Sequence, residues 1–451
     1  MSPSLLSNPS NRLDLWSNQG MPETSGAEKC SLRYGREMSL RILHTSDWHL
    51  GHSLHDVSRT YEHEQFLSWL LDTLQKEQID ALLIAGDIFD AANPSAAAQR
   101  QWYRFLSQAR RQQATLDIVA IAGNHDSAAR LEAPRALLEE LDIQVVGSLS
   151  RDENNKLDID RLLHPLRDGQ GNVEAWCAAV PFLRPADLPR MGDVQDPTLE
   201  GVRSIYGEVL AAAKARRTTT QALVAMGHCY MKSATLSELS ERKILGGNEH
   251  ALPADLFGND VSYVALGHLH LAQIVAEKQH VRYAGSPLPL SMDEVTYPHQ
   301  VCVATFDKGQ LVDVKTPRIP RAVELLRIPE DGPQPPQEVL KRLSALPAAE
   351  TAEPKPYLEV RIRLDHPDTT LRRLVSEAIE GKHARLVKLT LEYAGSGKSL
   401  AQQVPHQDLA HLTADAVFLQ MYQSVYGSEP TEEIMACFHE IVESVQQEEC
   451  Q

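Results

Sequence analysis

The sequence predicts an α/β protein built in layers, followed by a small α+β unit and a pair of C-terminal helices. Two observations predict it. First, five short apolar runs each stop at a small polar cluster. Leu40–Thr45 meets Ser46-Asp47-Trp48-His49, Ala81–Ala85 meets Gly86-Asp87, and Ile118–Ala122 meets Gly123-Asn124-His125-Asp126. Ala222–Met226 meets Gly227-His228, and Val261–Leu266 meets Gly267-His268-Leu269-His270. Such runs, bounded by turn residues, read as buried strands. Second, helical patterns fill the intervals between them, and strands alternating with helices are the mark of a layered α/β domain.

At 451 residues the chain exceeds one ordinary core, and two or three domains are expected. Residues 1–37 are rich in Ser, Asn, Pro and Gly without periodicity and read as a disordered extension, with Met38 a candidate initiator ahead of the first strand. They lack the basic start and continuous apolar stretch of a signal peptide. Residues 38–320 form the α/β domain. Its helices are Glu64–Lys76, with Phe66, Leu67, Leu70, Leu71 and Leu74 at helical spacing, and Ser95–Arg111 after the Asn93-Pro94 turn. Glu132–Leu141 is a third, leading to the short strand Ile143–Val146, and Thr198–Arg217 and Ser233–Ser240 are further candidates. Val281–Pro287 reads as a strand breaking into a turn, and Val301–Lys315 as a hairpin around Asp307-Lys308-Gly309.

The Pro-rich turn Arg318-Ile319-Pro320 opens the α+β unit, residues 321–395. Its strands are Val323–Ile328, Leu358–Leu364 and Arg385–Tyr393, and its amphipathic helix Asp368–Glu380 carries Leu371, Leu374, Val375 and Ile379 on one face. Pro329–Pro336 and Pro347–Pro356 read as flexible. Residues 396–407 are a linker, since Gly395-Ser396-Gly397-Lys398-Ser399 lacks the spacing of a full phosphate-binding loop. Residues 408–447 form two helices, with Val417, Met421 and Val425 striping the first, Gly427 stopping it and Pro430 opening the second. In that second helix Ile434, Phe438, Ile441, Val442 and Val445 keep helical spacing. Placed beyond both domains, the stripe is expected to dock into a partner's groove or on its coiled-coil base.

The composition, 42% hydrophobic and 23% charged, is that of a soluble globular protein, and no stretch has the apolar length of a membrane span. A net charge of −17 gives no whole-protein case for nucleic acid. Arg100, Arg104, Arg110 and Arg111, then Lys214, Arg216 and Arg217, then Arg372 and Arg373, read as solvated helix faces. Six dispersed cysteines without a C-x-x-C pair indicate neither a disulfide framework nor a zinc ribbon, and fit a reducing cytoplasm.

The chemistry lies at the strand ends. Asp, Asn and His are ligands for hard-to-borderline cations, and ligands in open α/β sheets bind at the carboxyl ends of strands. Asp47-x-His49, Asp87, Asn124, His228 and His268-x-His270 should therefore converge, with Asp87 as the carboxylate shared by two ions. Two divalent ions roughly 3.5–4 Å apart can clamp both oxygens of a phosphoryl displacement. In an extended D-x-H or H-x-H, residues i and i+2 point the same way and can reach one site. A lone Asp or His at a strand end is usually a cap; five such ends together carry the metal reading. Trp48 is expected to pack beside the first loop, and His52 and His55 to be exposed loop histidines.

This pattern resembles the calcineurin-like metallophosphoesterase superfamily, with D-x-H, G-D, G-N-H-D, H and G-H-x-H in order. Ile42 to Gly51 and Ala85 to Asp90 resemble more closely the SbcD family of bacterial nuclease subunits. The resemblance implies a four-layer α/β/β/α core, a small capping domain that helps hold DNA, and a C-terminal segment that binds the SMC-like ATPase SbcC. It implies exonuclease action on double-stranded ends and endonuclease action on single strands or hairpins, in DNA repair and recombination, by a homodimer within a heterotetramer. It groups Asp47, His49 and His270 with Asp87 on one ion, and Asn124, His228 and His268 with Asp87 on the other. It makes His125 a general acid or substrate-stabilising cation, with Asp126 orienting its ring. Asp90 stands where archaeal and eukaryotic relatives place a second histidine. A ligand set of four histidines and an amide beside two aspartates suits manganese, iron or zinc better than magnesium. The alternatives are a small-molecule or cyclic-nucleotide phosphodiesterase on the same site, and a non-catalytic scaffold. The extra α+β unit and helix pair argue against the first, and the complete set of ligand types against the second.

Overall fold

Strands that are apolar at every position must bury both faces, and the first sheet shows how. From edge to edge it orders Gln310–Lys315, Cys302–Asp307, Ser39–Thr45, Ala81–Ala85, Asp117–Ile121 and Ile143–Val146, the last four all parallel. In this computed structural model, which describes residues 39–154, 156–192, 194–235, 251–349, 354–366, 368–393, 414–431 and 433–439, side chains divide by period two. Leu40, Ile42, Leu83, Ala85, Val119 and Ile121 enter one core. Leu43, Leu82, Ile84, Ile118 and Ala120 enter another, against Phe66, Leu70, Trp102 and Phe105 of the helices Thr60–Lys76 and Ala96–Gln112. Each large apolar side chain so buried contributes roughly 1.5–3 kcal/mol.

The core on the other face is shared with a second sheet, ordered Gln273–Val275, Lys278–Tyr283, Tyr263–Gly267, Ala222–His228, Val173–Ala179 and Leu163–Arg167. Its four central strands are parallel, and the helix Pro197–Arg216 buries Val202, Ile205, Tyr206 and Val209 in the same core. The layers run helix, sheet, sheet, helix, as the superfamily resemblance implies.

The unit that follows is a three-stranded parallel sheet, Leu325–Ile328, Tyr357–Leu364 and Arg385–Tyr393, with helices Pro336–Ser344 and Leu371–Ile379 between the strands. Val360 and Ile362 are buried among Val339, Leu343, Leu371 and Val375. Leu54, Val57 and Met292 of the larger domain pack with Val323, Leu325 and Tyr357 of the smaller. Helix Ala414–Tyr426 leans on this sheet through Tyr426, whose ring lies 4.6 Å from that of Tyr393, and its Phe418 stacks at 4.1 Å on Phe438 of the helical residues 433–439.

Several expectations are corrected. The helix expected over 132–141 is two short ones, Ala128–Glu132 and Arg135–Glu139, divided at Pro134, whose ring cannot continue a helix interior. In the C-terminal helix the buried side chain is Tyr422, which the expected stripe did not include, while Met421 of that stripe is exposed. Residues 233–235 are not helical, and 236–240 lie outside the described residues, as do 1–38 and the linker 396–407. Elements not anticipated include the strands Leu163–Arg167, Val173–Ala179 and Gln273–Val275 and the helix Pro336–Ser344. The basic helix faces are partly neutralised, Arg110 by Asp142, Arg216 by Asp160, Lys214 by Asp260 and Arg373 by Glu377.

Candidate metal centre

Parallel register brings the ligand-bearing turns together. Gly267 lies opposite His228 in one sheet, and Ala85 opposite Ile121 in the other, so every turn leaves from the same edge. Beyond the strands the chain is not extended, which corrects the i, i+2 argument. Asp47, His49, Asp87 and His268 have φ of 54°, 46°, 48° and 107°, a region that non-glycine residues adopt at a cost of about 1–3 kcal/mol. Hydrogen bonds hold the first loop there: the amides of Asp47 and His49 donate to the carbonyls of Gly86 and Asp87, each at 3.0 Å. Glycine is required where the walls meet. A Cβ on Gly86 would strike the His228 imidazole, and one on Gly123 the Asp87 carboxylate.

Asp87 sits at the centre. Its Oδ2 lies 3.6 Å from Nε2 of His49 and 3.4 Å from Nε2 of His228, while Oδ1 accepts the His125 amide at 2.9 Å. On one side Asp47, His49 and His270 bring ligand atoms within 4.8 Å of one another. On the other, Oδ1 of Asn124 lies 2.9 Å from Nε2 of His228 and 3.0 Å from Nδ1 of His268.

Outer partners fix the ring tautomers. Nδ1 of His228 donates to the Ala85 carbonyl at 2.9 Å, Nδ1 of His49 lies 3.2 Å from the Asp90 carboxylate, and Nδ1 of His270 lies 2.9 Å from Oε1 of Glu294. In the neutral rings each Nε2 is then left with its lone pair, and for His49 that buried atom has no hydrogen-bond partner. Lone pairs facing carboxylate and amide oxygens repel one another unless a cation lies between them. The donor set therefore fits divalent metal ions. In the chain alone, burial pulls the His228 imidazole down, and the adjacent Asp87 carboxylate outweighs this and pushes it up to about 9. Burial raises the Asp47 carboxyl; at Asp87 it is overcome by His228 and then His49, which hold that carboxyl below its usual range.

His125 and Asp126 are at the site in unequal ways. The His125 ring is edge-on to His49 at 4.9 Å, and its Nδ1 donates to the Asp90 carbonyl at 2.8 Å. The expectation that Asp126 orients this ring is corrected, because the Asp126 carboxylate accepts the amides of Gly123, Ile88 and Phe89 at 2.9, 3.1 and 2.9 Å. It pins two ligand loops together; burial and then the charge of Asp87 push its carboxyl up to about 6. Trp48 packs edge-on against Phe66, Trp102 and Phe105 and is fully buried, as expected. His52 is no free loop residue: it bridges Asp90 at 3.1 Å and the Leu290 carbonyl at 3.0 Å, whereas His55 is exposed.

Sequence reasoning missed Glu294 and the anchoring role of Asp90. Nothing in the sequence marks Glu294. It is fully buried, and its Oε2 accepts the Leu290 amide at 2.8 Å while Oε1 faces His270. Glu294→Gln sets an amide NH2 against a donor in either orientation, the Leu290 amide or the His270 ring. Metal affinity, read by manganese titration, should fall about 10–100-fold with the fold intact. Unaltered affinity would show that Glu294 does not hold the ring.

Geometry and donor chemistry together describe a phosphoesterase that works through divalent metals. A family model described as calcineurin-like phosphoesterase matches residues 40–272, and one described as type 5 capsule protein repressor C-terminal domain, of the SbcD C-terminal family, matches residues 321–426. The SbcD component of the nuclease SbcCD from Rhodobacter capsulatus is 41% identical over 389 residues, covering 84% of this chain and 93% of that protein. Its Escherichia coli counterpart is 33% identical over 393 residues, covering 84% and 92%, and that of Bacillus subtilis 33% over 278 residues, covering 60% and 67%. The chain belongs to the SbcD family of nuclease subunits, within the calcineurin-like phosphoesterases.

Proposed function

We propose that the chain is a manganese-dependent DNA nuclease, cutting double-stranded ends as an exonuclease and single strands or hairpins as an endonuclease, beside the ATPase SbcC. The observation that supports it most is the shared carboxylate, with Asp87 Oδ2 between ring nitrogens of two donor clusters. Asp47, His49 and His270 with Asp87 would hold one ion, and Asn124, His228 and His268 with Asp87 the other. Bound there, the ions supply charge stabilisation of the phosphoryl group and a nucleophile at neutral pH. The chain's own contribution is placement. Asp90 and Glu294 hold rings, Asp126 ties the Gly86 and Gly123 turns, and His125 offers Nε2 for a proton to the leaving oxygen. No observation favours a small-molecule phosphodiesterase or a scaffold.

The domain limits 38–320, 321–395 and 408–447 belong to the same reading, with the second unit capping the DNA and the helix pair docking on the ATPase. So do a homodimer within a heterotetramer and a reducing cytoplasm. Support for the partner is the relatives' name, which makes them one component of a two-component nuclease. Among the described residues no helix is long and apolar enough to cross a membrane, and Cys177, Cys229, Cys302 and Cys437 are free thiols.

The test is digestion of linear duplex DNA at matched free Mn2+ and Mg2+, with and without the ATPase. Nitrogen ligands should make manganese far more effective. A chain ending at residue 407 should keep the manganese-dependent rate and lose any effect of the ATPase. Equal rates in both metals would count against the ligand set, and no cleavage in either against the nuclease.

A further inference from the structure

One arginine at the rim has no part in the metal site as described. The segment carrying it runs beside the His125 loop, where the Phe182 amide donates to the Ala122 carbonyl at 2.9 Å. Nη2 of Arg184 donates to the carbonyl of Asp126 at 3.2 Å, and its guanidinium carbon lies 5.7 Å from the centroid of the Phe182 ring. That ring is edge-on to His228 at 6.1 Å. The guanidinium therefore stands one aromatic ring from a metal-site imidazole, on the carbonyl of Asp126, the residue after His125.

What holds Arg184 is a carbonyl dipole and an aromatic face, not a carboxylate. Among the described residues no Asp or Glu lies within ion-pair distance of it, whereas Arg59, Arg161 and Arg327 pair with Glu62, Glu132 and Glu359. The nearest acid in sequence, Asp187, accepts the backbone amide of Arg184 at 2.7 Å. In a chain of net charge −17, a partly exposed guanidinium beside a cation site and without a counter-charge is matched by an anion from outside. A guanidinium presents several planar N–H donors suited to phosphate oxygens, and the Asp126 carbonyl engages one nitrogen.

We propose that Arg184 binds a phosphate of the substrate strand next to the scissile one, and so favours polynucleotides over small phosphodiesters. This rests on the reading of the chain as a nuclease acting on DNA. It assigns Arg184 to substrate binding, and the contact is to backbone phosphate, so no base preference is expected from it.

The experiment compares wild type, Arg184→Gln and Arg184→Lys in manganese on a single-stranded oligonucleotide and on bis(p-nitrophenyl) phosphate, which has no neighbouring phosphate. With Arg184→Gln the ratio of kcat/KM on DNA to that on the small diester should fall about tenfold, through KM. The slope of log affinity against log salt should become shallower by about 0.7, the value of one phosphate contact on a single strand. Arg184→Lys keeps the charge and should restore the slope, so the assignment stays testable even if the glutamine variant misfolds. An equal loss on both substrates, or an unaltered DNA KM and salt slope, overturns the assignment. Wild-type protein that hydrolyses the small diester and leaves DNA intact would instead overturn the nuclease reading and Arg184's role with it.

Discussion

Asp87→Asn is expected to abolish cleavage and to leave the protein with fewer than two bound ions. The substitution keeps shape and volume, so the result isolates charge and donor type. If the remaining oxygen continues to accept the His125 amide, as Oδ1 does at 2.9 Å, the new NH2 takes the place of Oδ2. Its hydrogens would then point at Nε2 of His49 and of His228, where the wild-type oxygen lies 3.6 and 3.4 Å away. In the reverse orientation the NH2 opposes the His125 amide instead. Either arrangement removes the negative charge common to both clusters. Metal ions contribute several kcal/mol of transition-state stabilisation, and at 1.36 kcal/mol per tenfold the loss should reach about 10³–10⁴ in rate. Manganese titration checks the cause. Two ions bound at wild-type affinity would remove Asp87 from its central position.

The second large effect is expected at His125 and separates chemistry from assembly. Its Nδ1–H is committed to the Asp90 carbonyl at 2.8 Å, so Nε2 is the atom left to exchange a proton with substrate. His125→Gln should keep the fold, both ions and DNA binding, while cleavage slows by about 10²–10⁴, the usual contribution of a general acid. The penalty should shrink on a nitrophenyl ester, whose leaving group departs without a proton. A loss as severe on that ester would mean that the ring stabilises the phosphate itself, and a lost ion would make His125 a ligand.

Much of the site was legible because the strands feeding it are short, apolar and cut off by Gly or Ser with Asp, Asn or His. That is a local signal, and parallel register does the rest. Strand Leu163–Arg167 was not legible, since His164, Pro165 and Arg167 interrupt its apolar pattern and its proline is tolerable at the edge of a sheet. Helix Pro336–Ser344 hid between proline-rich stretches, although Pro336 at its first turn is itself a helix-start signal. Glu294 and Arg184 act through contacts to His270 and Asp126 that lie far off in the chain, and no periodicity encodes such a meeting. Asp126 was legible as a site residue and misread in its task, because three backbone amides claim its carboxylate.

The left-handed backbone at Asp47, His49, Asp87 and His268 sets fold robustness against activity. Glycine would relieve the strain at each of these positions, and in doing so would delete the side chain that the strain presents. On the proposed ligand set, the substitution that most favours the backbone there is the one expected to end catalysis. Thermal hardening of this enzyme therefore belongs in its helices and outer strands, and a variant selected for melting temperature alone would drift toward a stable, silent protein at these four positions.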